Sequence, residues 1–136
     1  MKMNLDRKVL LSTLWIFAVL NYLYADVLSL MNPTRLQEFM NGMVGGMAIT
    51  PIFLFVGGIL METAIIMVLF SRILKYRWNR ILNILAGIIH TLAVSASLFV
   101  GKAEMFYVFF AIIEIATTSY IIVLAWAWKE KDQKLY

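Results

Sequence analysis

Four apolar stretches, each about long enough to cross a bilayer as a helix, fill most of this chain: roughly residues 9–31, 50–70, 81–100 and 105–128. Crossing about 30 Å of hydrocarbon takes ~20 mostly apolar residues in helical form. Helix is the conformation that fits. In lipid every backbone N–H and C=O must bond internally, and the alternating pattern of a barrel strand is absent. Of the 136 residues, 62% are hydrophobic and only 15% are charged. A soluble domain averages about 45–50% apolar and about 25% charged. A chain this short cannot hide so much apolar surface in a water-soluble core. The expectation is an all-α, polytopic membrane protein: one transmembrane domain over residues 1–136, folded as a four-transmembrane-helix bundle.

Pro33 follows Asn32 and Pro51 follows Thr50, so each proline is predicted to open a helix behind a capping side chain. The first apolar stretch also imitates a secretory signal, with Lys2, Arg7 and Lys8 before it and Leu23-Tyr24-Ala25 as a loose cleavage site. Its length favours an uncleaved helix. The absence of cysteine excludes disulfides, zinc–thiolate sites and thiol chemistry.

With four spans, both termini lie on one side. Ten of the twelve Lys and Arg residues fall on that side: Lys2, Arg7, Lys8, Arg72, Lys75, Arg77, Arg80, Lys129, Lys131 and Lys134. Only Arg35 and Lys102 fall on the other. This bias predicts cytoplasmic termini. It also accounts for the net charge of +4 without invoking nucleic acid, leaving membrane lipids as the expected contact. Trp15, Tyr76, Trp78, Trp126 and Trp128 are expected in an aromatic belt at the inner interface.

The outer connections differ. Gly101-Lys102-Ala103-Glu104 reads as a tight turn. NPTRLQEFMNG reads as a short amphipathic helix with Leu36, Phe39 and Met40 on one face and Gly42 as its stop. MVGGM then reads as flexible apolar backbone. The helix is expected on the membrane surface, or as a lid over an outward-facing cavity.

Three acids and the one histidine fall inside the spans: Asp26, Glu62, Glu114 and His90. A charge at the bilayer centre costs at least ~2.5–3.5 kcal/mol on insertion scales, so such residues usually face the protein interior and are candidates for function. Helical spacing groups them into stripes. These are Ala18, Tyr22, Asp26 and Ser29 on the first span, and Gly58, Glu62, Ile65 and Ile66 on the second. The third carries Asn83, Gly87, His90, Val94 and Ser97, and the fourth Tyr107, Ala111, Glu114 and Thr118. At ~1.5 Å rise per residue, Glu62 and His90 lie ~12–14 Å from the inner edge, Glu114 and Tyr22 ~20 Å, and Asp26 ~25 Å. The candidate site is a polar column of Glu62, His90, Glu114, Tyr22, Asp26 and Asn21, with Tyr24 at the interface. The plain alternative is that these groups are hydrogen-bonding glue between helices or an oligomer contact.

No GxGxxG, P-loop, HExxH or GxSxG motif is present. One histidine and scattered acids make a weak metal case, and no metal or cofactor is expected. The nine methionines read as core filler. LNYLYADVLSLMNP, residues 20–33, together with the four-span layout, resembles an uncharacterised bacterial family of small integral membrane proteins, a domain of unknown function. The resemblance implies four helices in a bacterial inner membrane and supplies no activity. More loosely, the layout is similar to the sterol-isomerase and sigma-2-receptor-like family, where acids inside a bundle bind amine or lipid-like ligands. Three readings follow. One is binding or transport of a small cationic or lipid-like ligand, for which four helices are few, so a homo-oligomer is expected. Another is acid–base catalysis on a lipid-like substrate by Glu62, Glu114 and His90. The third is a structural or accessory subunit.

Overall fold

The structure, a computed structural model, describes residues 6–129. Lys2, Leu5, Lys131 and Lys134, with most of the charged tail, lie outside the described residues. The elements in order are α1 (Arg7–Met31), α2 (Pro33–Met40), β1 (Met43–Val44), β2 (Met47–Ala48), α3 (Pro51–Ile73), α4 (Tyr76–Ser97) and α5 (Met105–Trp126). Helices α1, α3, α4 and α5 are each long and apolar enough to cross a membrane.

Capping places the helix starts. Asp6 accepts from the Lys8 N–H at the head of α1. Asn32 accepts from the Thr34 and Arg35 N–H groups, and Thr50 from that of Phe53, each with a proline as the first helical residue behind it. Such side chains satisfy donors that an α-helix otherwise leaves orphaned. Helix α4 begins at Tyr76 rather than near residue 81, because Arg77, Trp78 and Arg80 are polar or interfacial yet still helical. It ends at Ser97 rather than 100, because Leu98–Gly101 turns back toward α5. Helix α5 ends at Trp126 rather than 128.

The four long helices form a closed square. Helix α1 packs on α3 and α5, and α4 packs on the same two. Across the diagonal, α1 meets α4 through Trp15 and Tyr22 on one side and Asn83 and His90 on the other. Both described chain ends lie at one end of the bundle with the α3–α4 link. There Arg7 donates to the Leu124 carbonyl, and Arg80 donates to those of Ala125 and Trp126.

At the opposite end, α2 and the β1–β2 hairpin sit over the bundle. MVGGM is not loose backbone. Met43 pairs with Ala48 and Val44 with Met47 across a turn at Gly45 and Gly46. Both glycines have positive φ, the geometry of a two-residue type I′ hairpin turn. The turn packs against the α4–α5 connection so closely that a Cβ on Gly101 would lie 2.9 Å from the Gly45 Cα. Arg35 donates to the Lys102 carbonyl at 2.8 Å and sits 3.6 Å from Glu104 Oε1, while Asn32 Nδ2 donates to Glu104 Oε2 at 2.6 Å. Leu36 and Met40 remain exposed while Phe39 turns inward, so the three do not share one buried face.

Candidate functional site

Two polar regions occupy the bundle interior, and they differ in whether their hydrogen bonds are satisfied. The first lies toward the end holding the described termini. Trp15 Nε1 donates to Asn83 Oδ1 at 2.7 Å, and Ser71 Oγ donates to the same oxygen at 3.2 Å. Asn83 Nδ2 donates to Asn79 Oδ1 at 2.7 Å and to the Asn79 carbonyl at 2.9 Å. Asn79 Nδ2 donates to the Ser71 carbonyl at 2.7 Å. This chain of bonds ties α1, α3 and α4 together, and Trp15, Asn79, Asn83 and Ser71 are all 0% exposed. Trp15 is therefore a core residue and not part of an interfacial belt. The indole gives up the interface because it has a buried acceptor. Trp128 is likewise buried, edge-on against Tyr76, whose hydroxyl donates to the Trp128 carbonyl. Trp78 and Trp126 are exposed.

The second region lies toward the hairpin end and is a cavity of about 120 Å³. Tyr22, Asp26, His90, Ser97, Tyr107 and Glu114 supply its polar lining, with Leu60, Met61 and Val94 among its apolar walls. A further chamber of about 370 Å³ continues from it under α2 and the hairpin, sharing Asp26, Ala93, Ser97 and Tyr107 and adding Arg35, Phe39, Val44, Met47 and Phe53. Small-molecule pockets typically span ~300–1,000 Å³, so the outer chamber is of ligand size and the inner one suits a small group.

His90 is held from three sides. Its ring stacks on Tyr22 at 5.4 Å and 18°, meets Trp15 edge-on at 5.4 Å, and places Nε2 2.9 Å from Thr63 Oγ1. Tyr107 donates to Ser97 Oγ at 2.8 Å. Thr118 bonds Thr91 at 2.7 Å and donates to the Glu114 carbonyl, fixing α5 against α4 one turn below Glu114. Glu114 itself is only 6% exposed. Among the described residues, Glu114 Oε1 and the Tyr22 hydroxyl oxygen are the buried side-chain polar atoms with no hydrogen-bond partner. A buried polar atom left unpaired costs about 1–3 kcal/mol.

The structure thus brings Tyr22, Asp26, His90 and Glu114 around one cavity. It leaves Glu62 and Asn21 out. Glu62 is exposed on the outer side of α3, because the inward face of that helix runs through Leu60, Thr63, Ala64, Met67 and Ser71. The stripe of Gly58, Glu62, Ile65 and Ile66 is the opposite face, and Thr63 is the α3 residue that reaches His90. In a span that is apolar on nearly every side, periodicity carries little information about which face is inward. The acid–base trio of Glu62, Glu114 and His90 is therefore not assembled, nor is a metal set built from it. No group of three or more His, Asp or Glu that could hold a metal comes together among the described residues. Asn21 donates to the Phe17 carbonyl one turn back at 2.8 Å and lines neither chamber.

Asn83 falls on the expected inward stripe of α4, whereas helical spacing alone does not single out Thr63, Ser71 or Asn79. Asn79 and Asn83, one turn apart on a mostly apolar helix, are a usable signal for the Trp15–Asn83–Asn79–Ser71 network.

The chain belongs to a family of unknown function, DUF6326, which matches residues 1–134. Comparison with curated proteins and with solved structures finds no match.

Proposed function

We propose that the cavity beneath the hairpin binds a small organic cation, a protonated amine that keeps an N–H, with Glu114 and Asp26 as its counter-charges. The observation that carries this reading is the unpartnered Glu114 Oε1 beside the unpartnered Tyr22 hydroxyl. The same bundle satisfies a buried five-bond network about two turns away, so unpaired groups are not its general habit. A cationic N–H donor entering the cavity would supply what Glu114 lacks. The rings of Tyr22 and Tyr107 would offer π-faces to the same charge. Arg35, the cation at the outer chamber, is already engaged by Glu104 and the Lys102 carbonyl, and no Lys or Arg lines the inner cavity with the buried Glu114 and the more exposed Asp26.

The distribution of basic residues supports cytoplasmic termini. The hairpin end would then face outward, and ligand would enter from outside a bacterial inner membrane. Against a purely structural role stands the same orphaned carboxylate oxygen. Most buried polar groups that serve packing alone are hydrogen-bonded.

The test is thermal melting of the purified protein in detergent against a panel of primary to tertiary amines. A ligand that binds only the folded state raises stability by about 2.7 kcal/mol at a hundred times its Kd. At least one amine should raise the melting temperature in a saturable way, and Glu114→Gln should remove the response. No response from any amine, or the same response from Glu114→Gln, would reject the reading.

A further inference from the structure

Glu62 is the middle residue of α3, with eleven residues of the helix on either side. Its side chain is exposed on the lipid-facing side of the bundle. A carboxyl in the middle of a membrane with only lipid around it is costly, and such groups pair with something. Among the described residues, no hydrogen bond or ion pair reaches Glu62, and Gly57 and Gly58 on the preceding turn have open space beside them. We propose that this face of α3 is where two copies of the chain meet, with the two Glu62 carboxyls hydrogen-bonded to each other across a two-fold axis.

The flanking surface suits close approach. Gly58 lies one turn away on the same face, and a Cβ built there would meet no atom within 4 Å. Small residues of this kind let membrane helices approach backbone to backbone. On the other side of Glu62, Ile65 and Leu69 form one wall of an apolar groove of about 420 Å³ between α3 and α1, with Ile16 and Leu20 opposite. The groove gives the partner's apolar side chains a recess beside the polar contact.

The second copy is favoured over another occupant by symmetry and depth. A two-fold axis along the membrane normal sets each residue against its own counterpart at the same depth. A mid-membrane residue at such an axis must therefore bond to itself. A carboxyl can: one O–H donates and the other group's oxygen accepts. A salt bridge would instead need a cation at mid-depth. The described Lys and Arg residues of this chain all sit near span ends or in connections.

The chain contains no cysteine, so single cysteines report contacts without background. Gly58→Cys and Ile65→Cys would be oxidised with copper phenanthroline in native membranes, in the full chain. Ile88→Cys on α4 and Ile112→Cys on α5, both exposed, serve as controls for random collision. The two α3 variants should give disulfide-linked dimers of twice the chain mass and the controls should not. Adding Glu62→Leu to Ile65→Cys should lower the dimer yield about tenfold, the scale of the two hydrogen bonds of a carboxyl pair at ~0.6 kcal/mol each. Adding Glu62→Gln should preserve the yield, because an amide also pairs with itself. Equal cross-linking at the controls, no dimer from either α3 variant, a yield unchanged by Glu62→Leu, or linkage to a different polypeptide would each overturn the proposal.

Discussion

Asn83→Ala removes the hub of the satisfied network, and its cost can be worked from the geometry. Asn83 accepts from Trp15 on α1 and Ser71 on α3 and donates to Asn79 on its own helix. Interhelical hydrogen bonds in membranes average ~0.6 kcal/mol, so the two that cross helices together contribute ~1 kcal/mol. Ser71 can turn its hydroxyl back to its own helix. The Trp15 N–H cannot turn, is 0% exposed, and is left without an acceptor at a further ~1–3 kcal/mol. The expected loss is ~2–4 kcal/mol. Equilibrium unfolding by SDS in mixed micelles measures it. A double-mutant cycle with Trp15→Phe isolates the bond, since phenylalanine keeps a ring against His90 and removes the donor, and the cost of the lost ring volume appears in both arms of the cycle and cancels. A coupling of ~1–2 kcal/mol is expected for residues in direct contact. A loss below ~0.5 kcal/mol, the range of neutral substitutions, or a coupling near zero would refute the assignment of this network as glue.

Three further substitutions probe other parts of the structure. Tyr22→Phe deletes a hydroxyl that has no partner, so ligand-free stability should hold within ~0.5 kcal/mol or rise; a larger loss in the same SDS titration would mean the hydroxyl is bonded. Gly87→Val should cost ~1–3 kcal/mol, because a Cβ there already lies 2.7 Å from Ile122 Cγ1 and 3.3 Å from the Thr118 carbonyl; combining it with Ile122→Ala should recover part of the loss, again read by SDS titration. Gly101→Ala combines a φ of +69° with a clash against Gly45, so the hairpin should lift from the bundle, seen as faster amide exchange at residues 43–48 with little change in α4 and α5.

Much of this architecture could be read from hydropathy and capping residues, because lipid leaves a chain few choices. Span number, the helix starts at Pro33 and Pro51 and the polar stripes on α1, α4 and α5 needed only length, caps and the 3.6-residue period. The inward stripe of α3 is not legible from periodicity, because that helix carries apolar residues on almost every side and its single acid reads as inward-facing. The hairpin does not show in the sequence pattern because its strands are two residues long, too short for alternation, although Gly45-Gly46 between apolar residues is a local cue. Trp15 and Trp128 read as interfacial from their position along the chain. Their burial depends on the partners Asn83 and Tyr76, which are distant in sequence.

The most direct test of the account is the reactivity of Ala93→Cys, which lines both chambers and leaves every acid in place. The variant would be labelled in intact cells with matched cationic and anionic methanethiosulfonate reagents. An acid-lined cavity entered from the hairpin end would concentrate cations, so the cationic reagent should react about tenfold faster or more. Glu114→Gln should shrink that preference. Equal rates for the two reagents, or no labelling from outside the cell, would contradict a water-accessible, cation-attracting site beneath the hairpin.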